Sequence, residues 1–427
     1  VRKASSIVLV LLSAAFLFGI VSTFAEDKEP EKPVVSEVKQ TPDHNFGIFC
    51  NLYNKDWEDP EKTVALLKEL GVKIAICKLS WKDVEKEKGK FSEEEWKAFD
   101  EMVDKFTGCG IDVMCLVAAI PEWTKKGTAL NPASWRGKKP RDPQDLVDFV
   151  TVAARRYKDK IKRWTLFNSP QGKRHWIKPR HLVELYRVGS QAIKSEIPDS
   201  VIVMAGLEGI VDKRGPYLEK FLKAGGGKYV DMYDFHMNLG AGVRFSASAS
   251  MTNALKDILK KYGQSGKPIQ YGAIATPSRH EPKEKKIAKL KAKGWKPIDF
   301  EFITSELQAI RLVTLMIWGR SLGIDRIFWT RTRDQAPESG PEYEEWLSMK
   351  KRRRPFMPKV RGFNRTMGVI DYDYKPKPSF FALKTLIEKL DTAVFLKELN
   401  VGEDAKAFIF QKEGKYVGVF WSWQGER

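Results

Sequence analysis

The sequence predicts an α/β chain closed into a (β/α)₈ TIM barrel that carries a small C-terminal β appendage. Three observations point there. Short apolar runs of β type alternate with helical patterns, the alternation completes eight rounds, and after Leu390 the pattern changes to short alternating segments. An open doubly wound sheet is the rival for any alternating chain, but it requires a topological switch point and usually fewer units.

The expected strands are Phe46 to Cys50, Ile74 to Trp81, Asp112 to Ala118, Arg163 to Phe167, Val201 to Ala205, Met232 to His236, Pro268 to Gly272 and Arg326 to Thr330. Between them lie amphipathic stretches that read as helices: Pro60 to Leu70, Leu146 to Tyr157, Arg180 to Ser195, Thr252 to Tyr262 and Glu306 to Leu322. A last helix, Pro378 to Leu390, closes the barrel, and a hairpin of Ala407 to Gln411 and Tyr416 to Trp423 follows.

The chain begins with Arg2 and Lys3, an apolar run from Ile7 to Phe24 and a small-residue exit at Ala25. This reads as a secretory signal over residues 1–25; an uncleaved anchor is the competing reading. Export would place the protein outside the cell, in the periplasm or at the cell envelope, and no later stretch is apolar enough to span a membrane. Residues 26–44, rich in Pro, Glu, Lys and Val, read as a linker. The barrel then occupies residues 45–392 and the appendage residues 393–427. The four cysteines, Cys50, Cys77, Cys109 and Cys115, fit no zinc spacing, and three of them lie in apolar strand-like runs. Buried thiols or one local disulfide are expected in place of a metal site, and no ligand set for a metal or redox cofactor is visible.

Several segments, in barrel order, resemble clan A glycoside hydrolases. They are Lys78 to Trp96 at the second strand, Ala118 to Trp123 at the third, Trp164 to Gln171 at the fourth, Tyr233 to Asn238 at the sixth, Lys267 to Ser278 at the seventh, Phe328 to Asp334 at the eighth, and Gly368 to Leu386 before the last helix. Within the clan the pattern is most similar to β-xylosidase and α-iduronidase type enzymes, whose barrel is also followed by a β appendage. The resemblance implies a sugar site at the C-terminal ends of the strands, with a general acid closing the fourth strand and a nucleophile closing the seventh.

Those two positions hold Ser169 and Ala273. Retaining cleavage uses two carboxyl groups about 5 Å apart, and neither a hydroxyl nor a methyl replaces them. Glu208 and Asp334 are the acids near strand ends that could substitute, while Glu122 in its Pro-Glu-Trp setting reads as structural. The neighbourhoods have also drifted, since Gln171 follows Pro170 and Gln270-Tyr271-Gly272 precedes Ala273.

The resemblance further implies sugar contacts from Trp81, Trp123 and Trp329, with Asn168 and His236 facing hydroxyls. Charge supplies a second signal. The formal net charge is +19, and the surplus gathers after strands whose loops share the ligand face of a barrel: Lys125, Lys126, Arg136, Lys138, Lys139 and Arg141 after the third; Lys173, Arg174, Lys178 and Arg180 after the fourth; seven lysines between Lys283 and Lys296 after the seventh; and Lys350 to Arg354 after the eighth. Lys138, Arg174 and Arg353 stand for these clusters as candidate ligand contacts.

A positive mouth attracts anions over several ångströms. The expectation is therefore an exported, catalytically inactive pseudoenzyme that binds carbohydrate, specifically an anionic polysaccharide or cell-envelope glycan. An active O-glycosidase using relocated carboxylates is the first alternative, and a structural subunit docking an acidic protein partner is the second. Nucleic acid fits the charge but not export.

Overall fold

The computed structural model describes residues 7–12, 44–53, 55–125, 140–171, 177–208, 215–238, 245–278, 304–335, 366–402 and 405–422. In chain order its strands are β1 (Ile7–Leu12), β2 (Phe46–Cys50), β3 (Ile74–Ser80), β4 (Glu85–Glu87), β5 (Lys90–Phe91), β6 (Asp112–Ala118), β7 (Arg163–Leu166), β8 (Val201–Val203), β9 (Leu207–Glu208), β10 (Tyr233–Asn238), β11 (Ile269–Ala275), β12 (Arg326–Trp329), β13 (Val394–Leu399), β14 (Ala405–Lys412) and β15 (Lys415–Ser422). Nine of these form a parallel sheet in the order β8-β7-β6-β3-β2-β12-β11-β10-β9. Its two ends are successive pieces of one strand, interrupted at residues 204–206. Val203 bridges to Met232, and the Met204 amide donates to the Met232 carbonyl at 2.8 Å, so the sheet curls into a ring of eight strand positions.

Helix ends follow the local chemistry of the sequence. Asp59 caps Pro60–Leu70 by accepting from the Lys62 amide at 3.1 Å, and Gly71 ends the helix at φ 79°. Asp142 caps Pro143–Tyr157 through the Gln144 amide at 2.9 Å. The last helix, Pro378–Leu390, delivers Asp391, whose carboxylate accepts from the Asn45 amide at 2.7 Å and the Phe46 amide at 3.3 Å. The first barrel strand is thereby latched to the closing helix.

Alternate residues of the strands face two separate cores. Cys50, Ala75, Cys77, Leu79, Val113, Cys115 and Val117 pack outward against the helices. Ile74, Ile76, Met114, Leu116, Ala118, Val203, Met232 and Phe328 fill the barrel interior. Cys50, Cys77 and Cys115 are register neighbours on β2, β3 and β6. They are free thiols, and burial pushes the pKa of each one up.

Three details differ from the sequence expectation. The fifth strand breaks after Val203. The seventh continues past Gly272 to Ala275, with a bulge: Phe235 pairs Tyr271 but His236 pairs Ala273, leaving Gly272 unopposed. The appendage is a four-stranded antiparallel sheet in the order β1-β15-β14-β13, larger than a hairpin. Its β14–β15 turn places Glu413 at φ 50° and Gly414 at φ 75°, the two positive values of a type I′ connection. Strand β1 pairs from Ile7 opposite Trp421 to Leu12 opposite Tyr416. Among the described residues no helix is long and apolar enough to cross a membrane.

Candidate functional site

The C-terminal ends of four consecutive strand positions bring together Ser169, Glu208, His236 and Ala273. His236 lies opposite Glu208 on β9 and opposite Ala273 on β11. Ser169, just beyond β7, donates its amide to the Gly206 carbonyl at 3.1 Å. Gly206 lies against His236, since a Cβ there would be 2.0 Å from Nε2. Ser169 is 4% exposed at φ 47°, and its hydroxyl is buried without a hydrogen-bond partner among the described residues. Ala273 is buried at the same rim. Asn168 is half-buried beside Ser169.

Beneath His236, on the interior face it shares with Met232, lies Asp234, which the sequence motifs did not single out. Its Oδ1 accepts from the bulge amide of Gly272 at 2.6 Å, and a Cβ at position 272 would approach Oδ2 to 2.3 Å. Glycine at the bulge is what lets the carboxyl sit there. Burial raises the Asp234 pKa to about 8, with hydrogen bonds from Gly272, Gln270 and Phe235 opposing. His236 Nε2 is 3.9 Å from Asp234 Oδ2. Burial lowers the His236 pKa to about 4, against the pull of Glu208. Both shifts favour the uncharged forms, a protonated carboxyl and a neutral imidazole, which can hydrogen-bond sugar hydroxyls. The spacing Asp234-Phe235-His236 on one strand was the available signal for the pair.

The tryptophans occupy packed positions. Trp81 is wholly buried, stacked on Phe149 at 5.2 Å and edge-on to Trp123 at 6.2 Å, with its indole N–H donating to Glu85 at 2.7 Å. Trp329 is also wholly buried and donates to the Met367 carbonyl at 2.8 Å. Such rings support the rim from behind, because both faces of a buried indole are already covered. Trp123 is half-buried and donates to the Glu85 carbonyl at 2.8 Å.

Asp334 is not positioned as a recruited catalytic acid. It is fully buried; Oδ1 accepts from the Gly368 amide at 2.7 Å and Oδ2 from Lys377 Nζ at 2.9 Å. Lys377 also donates to the Ser278 hydroxyl at 2.6 Å. The carboxylate is consumed in tying the eighth-strand loop to the segment before the last helix. Glu208 is partly exposed at the rim, where its carbonyl accepts from the Gln171 side chain at 3.3 Å. Lys138, Arg174 and Arg353 lie outside the described residues, as do most of the basic stretches.

Two further cations lie at the C-terminal ends of neighbouring strands. Lys78 follows Ile74 and Ile76 on the interior face of β3, and Arg331 follows β12 by two residues. The signal for Lys78 was a lysine in period-2 register with two interior isoleucines.

No family model matches the chain. Solved structures do. A family 39 glycoside hydrolase from Bacteroides cellulosilyticus WH2 superimposes with a TM-score of 0.62 at 17% identity, over 88% of this chain and 69% of that one. A family 39 β-xylosidase from Caulobacter crescentus gives 0.54 at 15% identity, over 88% and 79%. A family 5 glycoside hydrolase from Streptomyces cattleya, in complex with GlcNAc, gives 0.54 at 13% identity, over 82% and 80%. At such identities the likeness concerns the fold, and the chain shares its fold with the clan A glycoside hydrolases that its motifs resemble.

Proposed function

We propose that the protein is an exported, catalytically inactive barrel that binds an acidic polysaccharide or cell-envelope glycan. The observation that carries this reading is the pair Ser169 and Ala273, at the two strand ends where the resembling motifs supply carboxylates. General acid help alone is worth roughly 10²- to 10⁴-fold, and without a nucleophile the covalent route is absent. The remaining groups around His236 suit recognition of hydroxyls more than bond cleavage. The net charge of +19 and the basic stretches after four strands support an anionic ligand. Export is supported by the basic start and apolar run of residues 2–24; processing after Ala25 would remove β1 and leave β15 as a sheet edge.

One observation favours a second reading, an active glycosidase of altered mechanism. Glu208 is the register neighbour of His236, and burial raises the Asp234 pKa to about 8, the direction a general acid requires. Reducing-end release from neutral and acidic polysaccharides, measured beside retention on the same glycans at low and high salt, separates the two. Salt-sensitive retention without release supports the binding reading. Turnover that disappears in Glu208→Gln or Asp234→Asn would overturn it.

A further inference from the structure

We infer that Lys78, Arg331 and Tyr53 form an anion subsite inside the barrel mouth that receives the carboxylate or sulfate of an acidic sugar unit. The inference rests on the anionic-glycan reading and deepens it, because it assigns the charge recognition to side chains of the barrel wall and not to the basic loops.

In the sheet order β3-β2-β12, Lys78 and Arg331 flank the first barrel strand from either side. Phe49 on that strand packs against the interior core, and Tyr53 follows three residues after its end. Lys78 points inward, in register with Ile74 and Ile76, and Nζ stands 5.3 Å from the centre of the Tyr53 ring. That ring is fixed, since the Tyr53 hydroxyl accepts from the Ser80 amide at 3.2 Å. The lysine is thus held on an aromatic face at the rim of an apolar interior.

Asp83 acts on Lys78 electrostatically, but no ion pair joins them. Among the described residues no carboxylate forms an ion pair with Lys78 or Arg331. The nearest acid by sequence, Asp83, is engaged by Lys82 Nζ at 2.6 Å and by the Ser80 hydroxyl. Nε of Arg331 is buried with no hydrogen-bond partner among the described residues, and so is the hydroxyl of Thr330 beside it. Burial lowers the pKa of Lys78, Asp83 opposes this, and Lys82 and Arg331 lower it further, so the two cations sense each other across β2.

Other buried cations of the barrel have their charge paired or most of their N–H groups bonded, although Nε of Arg320, like that of Arg331, is buried with no hydrogen-bond partner among the described residues. Lys377 pairs with Asp334, Arg333 with Glu58, and Arg320 donates to three backbone carbonyls. Desolvating two positive groups side by side without a partner is unfavourable. An incoming anion with two or three acceptor oxygens would fill the orphaned Nε of Arg331 and neutralise both charges.

The test is calorimetric titration of the full chain with a galacturonate trisaccharide, its methyl ester and a sulfated galactose trisaccharide, at low and high salt. The inference expects one or both acidic probes to bind, the ester to bind at least about tenfold more weakly, and salt to narrow the gap. Lys78→Gln and Arg331→Gln should each lose about tenfold or more for the acid, while Lys78→Arg stays close to the unaltered protein. The relative affinity of the two acidic probes tells carboxylate from sulfate. Equal affinity for acid and ester on the unaltered protein overturns the inference without requiring any variant to fold. Acid-selective binding that both glutamine variants retain overturns the subsite but leaves the anionic-glycan reading to the loops. Binding of none of the three overturns both.

Discussion

At the scale of single residues, the site is governed by what each buried charge has for company. Lys377 and Asp334 are 4% and 0% exposed at their side chains and 2.9 Å apart. Removing one partner leaves the other charge stranded, which costs about 3–5 kcal/mol in comparable cases, so Lys377→Met should destabilise the fold by that order in chemical denaturation. Asp234 makes a different prediction, about pH. Its pKa rises from 3.8 to about 8 on folding, so the stability tied to its protonated form is complete below pH 3.8 and is lost as pH climbs toward 8. His236 falls from 6.5 to about 4; its contribution is complete above pH 6.5 and is lost as pH drops toward 4. The two oppose each other between pH 4 and 6.5 and leave Asp234 alone between 6.5 and 8. Asp234→Asn should therefore flatten the decline of the thermal midpoint across pH 6.5–8, and an unchanged slope there would mean that the carboxyl is not held protonated.

At the scale of elements, what could be read from the sequence was what local chemistry decides. The helix Pro60–Leu70 lies within the bounds expected for it because Asp59, Pro60 and Gly71 mark its ends whatever packs on it. The third strand, Asp112–Ala118, shows in its own apolar run. The break in the fifth strand and the bulge in the seventh were hidden, because both are set across strands: Gly206 yields to the His236 ring, and Gly272 turns its amide to Asp234. The same limit applies to the site. Ser169, Ala273 and His236, which the motifs single out, lie near one another at neighbouring strand ends, whereas the burial of Trp81 and Trp329 and the engagement of Asp334 depend on partners distant in sequence. Gly206→Ala tests the cross-strand reading. Its new methyl would stand 2.0 Å from His236 Nε2, and overpacking of this kind costs about 1–3 kcal/mol. If that clash is the whole cost, the penalty should largely vanish in a His236→Ala background, a non-additivity that a double-mutant cycle measures directly.

At the scale of the molecule, the appendage and the barrel share one apolar core. The buried apolar cluster that surrounds the barrel strands continues without interruption into Phe408, Phe410, Val417, Val419 and Trp421 of the C-terminal sheet. Trp318, on the helix Ser305–Ser321, meets Phe408 edge-on at 6.1 Å. On the same helix Arg320 donates to the Ile324 and Asp325 carbonyls at 2.7 Å and to the Ala393 carbonyl at 3.2 Å, where the chain leaves the barrel for β13. A sheet held through a shared core and an arginine clamp cannot open without exposing apolar surface on the barrel helices and straining the bond from Arg320 to the Ala393 carbonyl. Thermal unfolding followed by tryptophan fluorescence and by far-ultraviolet circular dichroism should thus give a single coincident transition. Arg320→Ala should lower that midpoint for both probes together; two separated transitions, or a shift confined to one probe, would mean that the sheet is an independent unit and that the barrel mouth is shaped without it.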